Sequence, residues 1–311
     1  MKNIAIFGAA GAIGHSIAAE LDRRGLPFRA VGRNRERLAR EYPKADCVAA
    51  DLMDSEAAEW AASSVDTIFY TVGVSSYTDF PKHLTAMRAT IEAAVKAGVE
   101  RILVVSSVYG YGSPLTPKVA ETHPREPAAR KGKIRKEQED IAMEAHRAGR
   151  IHAAVVHLPD FYGPYAELSL AHQVFGPALA GKRATWLGSV DLPHEFIYVP
   201  DAGAPLVELA SREAAWGERW NLGGAGTILA RDFITRIYQE VGRKPRWMAA
   251  SKMMLWLMSP FNSLMRELIE MQYLVETPVI LDDSKLERLL GGLYKTPYEA
   301  GIRSTIEWMR R

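Results

Sequence analysis

The sequence predicts an α/β fold, a doubly wound parallel sheet with a smaller interleaved C-terminal lobe. Two observations carry that prediction. Short apolar runs rich in Val and Ile alternate with longer segments of helical period, and those runs lack the polar alternation of a sheet with one wet face. The first strand is Asn3–Phe7, followed by a helix over Ile13–Arg24 whose Ile13, Ile17, Ala18 and Leu21 share one face. Strands at Phe28–Val31, Thr67–Val72, Ile102–Val105 and Ala153–Val156 continue the series. A helix over Ala86–Ala97 carries its stripe on Met87, Ile91, Ala94 and Val95. Strands this apolar, joined by helical crossovers, need cover on both faces. The five units end near residue 157. Beyond it Pro159, Gly163, Pro164, Gly176, Pro177 and Gly181 punctuate shorter elements. The chain therefore divides at 1–157 and 158–311, with a return to the first sheet expected near 194–225.

Bulk composition excludes several function classes. Lys and Arg number 39 against 37 Asp and Glu, and a net charge of +2 gives nucleic acid no electrostatic foothold. The single cysteine, Cys47, rules out an intramolecular disulfide framework and a multi-cysteine metal site. It falls in a strand and reads as a core residue suited to a reducing compartment. His172 and His194 lack metal-ligand spacing, so no metal is expected. The opening run Met1–Phe7 is too short for a signal core and reads as a strand, hence a cytoplasmic protein. Met253–Met258, the longest strongly apolar stretch near the C-terminus, falls far short of the roughly 20 residues that span a bilayer.

The chemistry begins after the first strand, at Gly8-Ala9-Ala10-Gly11-Ala12-Ile13-Gly14. The first glycine permits a tight turn, the second lets backbone approach a pyrophosphate, and the third lets helix and strand pack closely. The helix N-terminus then faces the anion. This context, between a strand and an amphipathic helix, makes the first half a Rossmann-type dinucleotide site. The second strand runs into Gly32-Arg33-Asn34-Arg35, where an NAD enzyme would usually carry an acid for the ribose 2′-hydroxyl. Arg33 instead supplies a permanently charged fork suited to a 2′-phosphate, with Asn34 beside it and Arg35 as a helper. NADP(H) is the expected cofactor.

These residues, together with Asp51-Leu52, Thr71-Val72-Gly73, the run Ala97–Ser107, Tyr111-Gly112, Tyr162-Gly163-Pro164 and His194–Asp201, resemble the extended short-chain dehydrogenase/reductases, the NAD-dependent epimerase/dehydratase family. The resemblance covers nearly the whole chain. It implies a Rossmann half, an interleaved substrate lobe, and a cofactor lying across the strand ends. It further implies that Asp51 bonds the adenine amino group while Leu52 covers the ring. Ser107 takes the place of the family's catalytic Ser or Thr, which hydrogen-bonds a substrate carbonyl. Ser106 is structural. A small-molecule substrate and a homodimer are the expected partners.

One family feature is missing. Its acid/base is a tyrosine four residues before a lysine, but residues 129–139 hold no tyrosine. One alignment places Lys131 and Arg135 at the two positions, and a one-residue shift places Gly132 and Lys136 there. Arg135 suits ribose hydroxyls but cannot donate a proton at neutral pH. Three solutions stand open: Lys131 as the acid, a tyrosine from elsewhere (Tyr109, Tyr111 or Tyr162), or a protein that binds NADP(H) without turning it over.

The second lobe bears on the substrate. Asp160 stands two residues before Tyr162-Gly163-Pro164, where nucleotide-sugar members of the family usually have an asparagine, and a carboxylate there repels a diphosphate. Six of the eleven methionines fall between Met248 and Met271, beside Trp247 and Trp256, which suits an adaptable apolar pocket. The expected activity is reduction or oxidation of a small, apolar, non-nucleotide compound by NADP(H), with an epimerase or dehydratase and a non-catalytic regulator as alternatives.

Overall fold

The computed structural model describes residues 1–74, 77–250, 256, 269–270 and 273–311. The methionines from 253 to 271 lie outside the described residues.

The strands are β1 (Ile4–Phe7), β2 (Phe28–Gly32), β3 (Asp46–Ala49), β4 (Thr67–Tyr70), β5 (Arg101–Ser107), β6 (His152–Leu158), β7 (Asp160–Tyr162), β8 (Ala184–Leu187), β9 (Pro193–Tyr198), β10 (Arg219–Asn221), β11 (Thr227–Leu229) and β12 (Trp247–Ala250). Seven form one sheet in the order β10-β6-β5-β4-β1-β2-β3, with every pairing parallel. The order reverses between β1 and β4, and nucleotides bind at such a switch point. The chain rejoins this sheet at β10.

Alternation along each strand builds two cores. Ile4 and Ile6 of β1 point to one face with Leu103, Val105 and Val156, while Ala5 and Phe7 point to the other with Val104 and Val155. The first face is covered by α1 (Ala12–Arg23) and by a later helix, Pro200–Ala210. The second carries Ala58 and Ala61 of the helix Ser55–Ala62, Met87 and Ile91 of Lys82–Lys96, and Ala142 and Met143 of Arg130–Arg147. Helix Pro200–Ala210 lies close on α1. A Cβ on Gly203 would stand 2.1 Å from the Ser16 carbonyl oxygen, and Gly203 N donates to Ser16 Oγ at 2.8 Å.

The second lobe has its own core. The sheet β11-β9-β7 and the pair β12-β8 surround Tyr162, Phe175, Trp186, Phe196, Phe233 and Tyr298. Among the described residues no helix is long and apolar enough to cross a membrane.

Candidate functional site

The turn after β1 has the geometry its glycines predict. Gly8 adopts φ +93°, and Gly8 N and Ala9 N both donate to the Val31 carbonyl, at 3.0 and 3.1 Å. Gly11 caps α1 and donates to Gly8 O at 3.0 Å. A Cβ on Gly14 would stand 2.4 Å from Gly8 O and 2.7 Å from Ala9 O, so helix and loop meet only through glycine. The first turn of α1, with Ala12 and Ile13 buried, carries no acid that would repel a phosphate. A nicotinamide dinucleotide fits this cradle.

The loop is tied from behind by side chains that the sequence reading missed. Tyr42 Oη donates to Ala9 O at 2.7 Å, and Arg37 Nη2 donates to Ala10 O at 3.1 Å. With both carbonyls bound from behind, the loop holds its shape before any ligand arrives. Tyr42 in turn contacts His15 Nδ1 at 2.7 Å, and the His15 ring stacks on Tyr165 with centroids 3.6 Å apart. Burial outweighs the nearby Glu41 carboxylate and lowers the His15 pKa to about 4. Tyr165 meets Trp308 edge-on at 5.0 Å. A ladder of rings thus runs from the glycine loop to the last helix of the chain, Tyr298–Met309.

The other expected cofactor residues line up along the same strand ends. Arg33 is exposed just past β2 and makes no ion pair among the described residues. Asn34 does something other than expected: its Oδ1 accepts from Arg37 N at 2.9 Å and caps the helix Arg35–Glu41. Asp51 Oδ1 accepts from Met53 N at 3.0 Å, closing a turn, and Leu52 packs into the core beside Val48 and Ala50. Thr71 Oγ1 donates to Phe7 O at 3.0 Å, tying β4 to the start of the loop, and Val72 and Gly73 continue outward.

At the end of β5, Ser107 Oγ is buried with no hydrogen-bond partner among the described residues. Its neighbour Ser106 donates to Glu139 at 2.5 Å and is structural. Lys131, in the first turn of Arg130–Arg147, is only 2% exposed and does not sit on a solvated face. Its backbone N and Nζ donate to the two oxygens of Glu270, at 2.8 and 2.7 Å. Burial pushes the Glu270 carboxyl up, but the hydrogen bonds and charge of Lys131 outweigh that and hold it below its ordinary value. Arg135 is half-buried and donates to Gln138 Oε1 at 2.7 Å.

Tyr162 is corrected by the structure. It is 1% exposed, at the centre of the second lobe's core, with Phe233 at 5.3 Å, Tyr198 at 5.5 Å and Tyr298 at 6.0 Å. Burial raises its phenol far above the ordinary tyrosine value. It packs; it does not reach the nicotinamide end. Tyr111 is likewise engaged, donating to Asn221 Oδ1 at 2.7 Å and lying 3.1 Å from His157 Nδ1.

A cavity of about 330 Å³ opens beyond Ser107, walled by Val108 and Tyr109 after β5 and by Leu168, Leu187, Phe196 and Val279 of the second lobe. Its polar wall residues include Asp160, His194 and Glu195, and no lysine or arginine lines it among the described residues. Asp160 accepts from Ser169 Oγ and Ala171 N, both at 3.0 Å, so it folds the following loop. Burial raises its pKa. Burial likewise lowers His194 to about 4. Glu195 accepts from Gly224 N and Leu281 N at 3.0 and 2.8 Å, yet burial prevails over both bonds and raises its pKa to about 7.

The folded state therefore holds a proton on Glu195 that the unfolded chain releases above about pH 4.5. The stability this gives is complete below pH 4.5 and is lost as pH rises through about 7, a loss on the order of 3 kcal/mol. Urea unfolding of the wild type and Glu195→Gln at pH 5 and pH 8 checks this: the wild type should weaken more across the interval, and parallel curves would remove Glu195 as the cause.

Comparison with known proteins fits this geometry. Residues 8–146 match a family model described as NAD(P)H-binding. The 2′-dehydrokanamycin reductase of Streptomyces kanamyceticus is 28% identical over 167 residues, which is 51% of this chain and 46% of the reductase, so the match spans about half of that relative. Among solved structures, a dTDP-glucose 4,6-dehydratase of Streptomyces venezuelae with NAD bound superposes with a TM-score of 0.83 at 19% identity, over 99% of this chain and 97% of that one. The UDP-glucose 4-epimerase of Thermotoga maritima, with UDP-glucose, gives 0.79 at 19% identity over 99% and 98%. Residues 8–146 match an NAD(P)H-binding domain within the Rossmann-type sheet, and the chain as a whole shares the fold of these dehydratase and epimerase structures.

Proposed function

We propose that the protein is an NADP(H)-dependent oxidoreductase acting on a small, largely apolar, non-nucleotide carbonyl compound. The observation that carries the reading is the cavity walled by Val108 and Tyr109, which directly follow Ser107 in the chain; it is apolar over most of its wall and without a cation among its described lining residues. A sugar nucleotide brings a diphosphate, and the described lining residues of this cavity offer it no lysine or arginine. Ser107 supports the same reading, since a buried hydroxyl without a protein partner is one whose hydrogen bond a ligand can complete. In this reading Ser107 orients the carbonyl and Arg135 faces the ribose hydroxyls. The bound nicotinamide supplies or accepts the hydride.

The preference for NADP(H) rests on Arg33 and on the absence of an acid at the end of β2. Arg33→Ala is expected to weaken NADPH binding by about 1–3 kcal/mol, roughly 10- to 150-fold, and to leave NADH binding nearly unchanged. Calorimetry with both cofactors checks it, and a tenfold wild-type preference for NADH would overturn the assignment. The same reading gives residues 1–157 to the cofactor and 158–311 mainly to the substrate, in a cytoplasmic homodimer.

The first experiment is NADPH binding followed by NADPH oxidation against aldehydes, ketones, enones and imines. Turnover on one class supports the oxidoreductase. Tight binding with no consumption favours one of two alternatives: an epimerase or dehydratase that recycles its cofactor, or a regulator that only senses it. The missing tyrosine in Arg130–Arg147 is what keeps the regulator in view.

A further inference from the structure

We propose that the outer end of the second lobe binds a phosphoryl or diphosphate group of a small molecule, at a site separate from the glycine loop and from the apolar cavity. Five cations converge there from two short segments. Lys182 and Arg183 stand in the turn that leads into β8, and Arg243, Lys244 and Arg246 in the turn that leads into β12. The two strands pair in parallel with Ala184 opposite Trp247, and Ala184 N donates to Arg246 O at 3.0 Å, so both turns lie at the same end of the pair. The apolar cavity uses the residues of β8 that follow, Thr185 to Leu187.

The charge at this end is unmatched. Over the whole chain cations and carboxylates are nearly equal, 39 against 37, yet residues 181–190 and 241–250 hold these five cations and no Asp or Glu. None of the five makes an ion pair among the described residues. Arg231 and Arg236 of the nearby helix Ala230–Glu240 are by contrast paired, with Asp191 and Glu299. A pocket of about 280 Å³ opens between the two turns, walled by Gly181, Tyr238, Arg243, Lys244 and Arg246. No carboxylate lines it among the described residues.

The frame of the pocket is held by backbone bonds and one phenol. Lys182 N donates to Pro177 O and Arg243 N to Tyr238 O, both at 2.8 Å. Tyr238 Oη donates to Lys182 O at 2.6 Å and accepts from Ala184 N at 3.0 Å. Gly181 has φ +67°, and a Cβ there would stand 2.4 Å from Arg243 Nη1, so the guanidinium lies against the turn where only glycine leaves it room. Its side-chain bond to Leu179 O is long, 3.5 Å, and leaves most of its donors for a ligand.

The chemistry of these side chains selects the anion. A guanidinium engages two phosphate oxygens at once, and an ammonium adds a point charge beside them. Cations this close repel one another, and a multiply charged anion relieves that repulsion more than a single carboxylate does. A nucleic acid would need a longer basic stripe, but the neighbouring helix brings Asp232 and Glu240 and arginines that are already paired. The site stands independently of the activity proposed above.

Calorimetric titration with inorganic pyrophosphate tests it, with glucose 6-phosphate in a second arm for a phosphate carried on an organic group. Arg243→Gln/Arg246→Gln should weaken pyrophosphate binding at least about tenfold. Arg310→Gln/Arg311→Gln removes the same charge from the exposed C-terminal end and should change binding by less than about twofold. Uptake of pyrophosphate by the glycine loop is common to all these proteins and drops out of the difference. Since Arg243 also packs on its turn, Lys182→Gln/Lys244→Gln provides a second variant, whose exposed lysines leave that packing intact and whose loss should run in the same direction. Saturable binding of either probe that falls in both site variants and holds in the C-terminal control supports the proposal. No saturable heat with either probe up to about 1 mM, or an equal loss in the control, overturns it. Tight binding of duplex DNA by a protein that ignores both probes overturns it as well.

Discussion

Glu139→Ala is expected to lower the free energy of unfolding by about 3–5 kcal/mol, the cost of removing one partner from a buried ionic network. Glu139 is fully buried and accepts from Ser106 Oγ and Arg125 Nη2, both at 2.5 Å, with His157 Nε2 at 3.0 Å. The network continues through His157 to Tyr111 and Asn221, whose Nδ2 donates to Val119 O at 2.8 Å. It therefore joins β5, β6, β10 and the helix Arg130–Arg147 behind Ser107. Without the carboxylate, His157 loses its anion and Arg125 keeps Asp140 and the Lys136 carbonyl. Burial pushes the Glu139 carboxyl up, but His157, Arg125 and Ser106 outweigh it and hold its pKa low. A depressed carboxyl gives stability that is present above its unfolded value, 4.5, and is lost as pH falls below it. Urea unfolding should show a wide gap between wild type and variant at pH 7 that narrows in acid. A gap under about 1 kcal/mol at pH 7 would mean that the network holds little.

Gly14→Ala is expected to cost about 100-fold in nicotinamide cofactor affinity, close to 3 kcal/mol, and more than Gly11→Ala. The new methyl would stand 2.4 Å from Gly8 O and 2.7 Å from Ala9 O, both backbone atoms that no rotamer change can move aside. Gly8 is pinned to Val31, and Ala9 is held by Tyr42 as well, so the strain goes into the position of α1. At Gly11 the nearest atom is 3.3 Å away, and a few tenths of an ångström of give would suffice. Calorimetric titration of the two variants decides it. Equal losses would show that the loop flexes more than its hydrogen bonds suggest.

What could be read from the sequence is what local signals carry. Val and Ile runs at strand length and helical stripes such as Ile13, Ile17 and Leu21 mark their elements through period alone, so the sheet and its covering helices were legible. Gly8, Gly11 and Gly14 announce the loop because their spacing is itself the geometry. Contacts between residues far apart in the chain leave no such trace. Lys131 looks like part of a basic, solvated run of five charges in seven positions, and only the fold brings Glu270 to it from 139 residues away. Asn34 could equally face a phosphate or cap a helix, and the first turn of Arg35–Glu41 decided for the cap. Tyr162 fell to the lobe's core because the end of β7 turns its ring toward Phe233 and Tyr298. Tyr42 and His15 gave no signal, since neither falls in a motif.

The late return of the chain to its first sheet has a consequence in time. During synthesis β6, from His152 to Leu158, emerges about sixty residues before β10, and its outer edge must wait unpaired for Arg219–Asn221. Six of its seven residues are buried in the finished protein, among them Ala153, Val155 and Val156. A nascent chain stalled before residue 219 thus displays an apolar, hydrogen-bond-hungry strand edge. The three residues that close it come from the half of the molecule that walls the cavity, so completing the second half also ends the first half's exposure to aggregation.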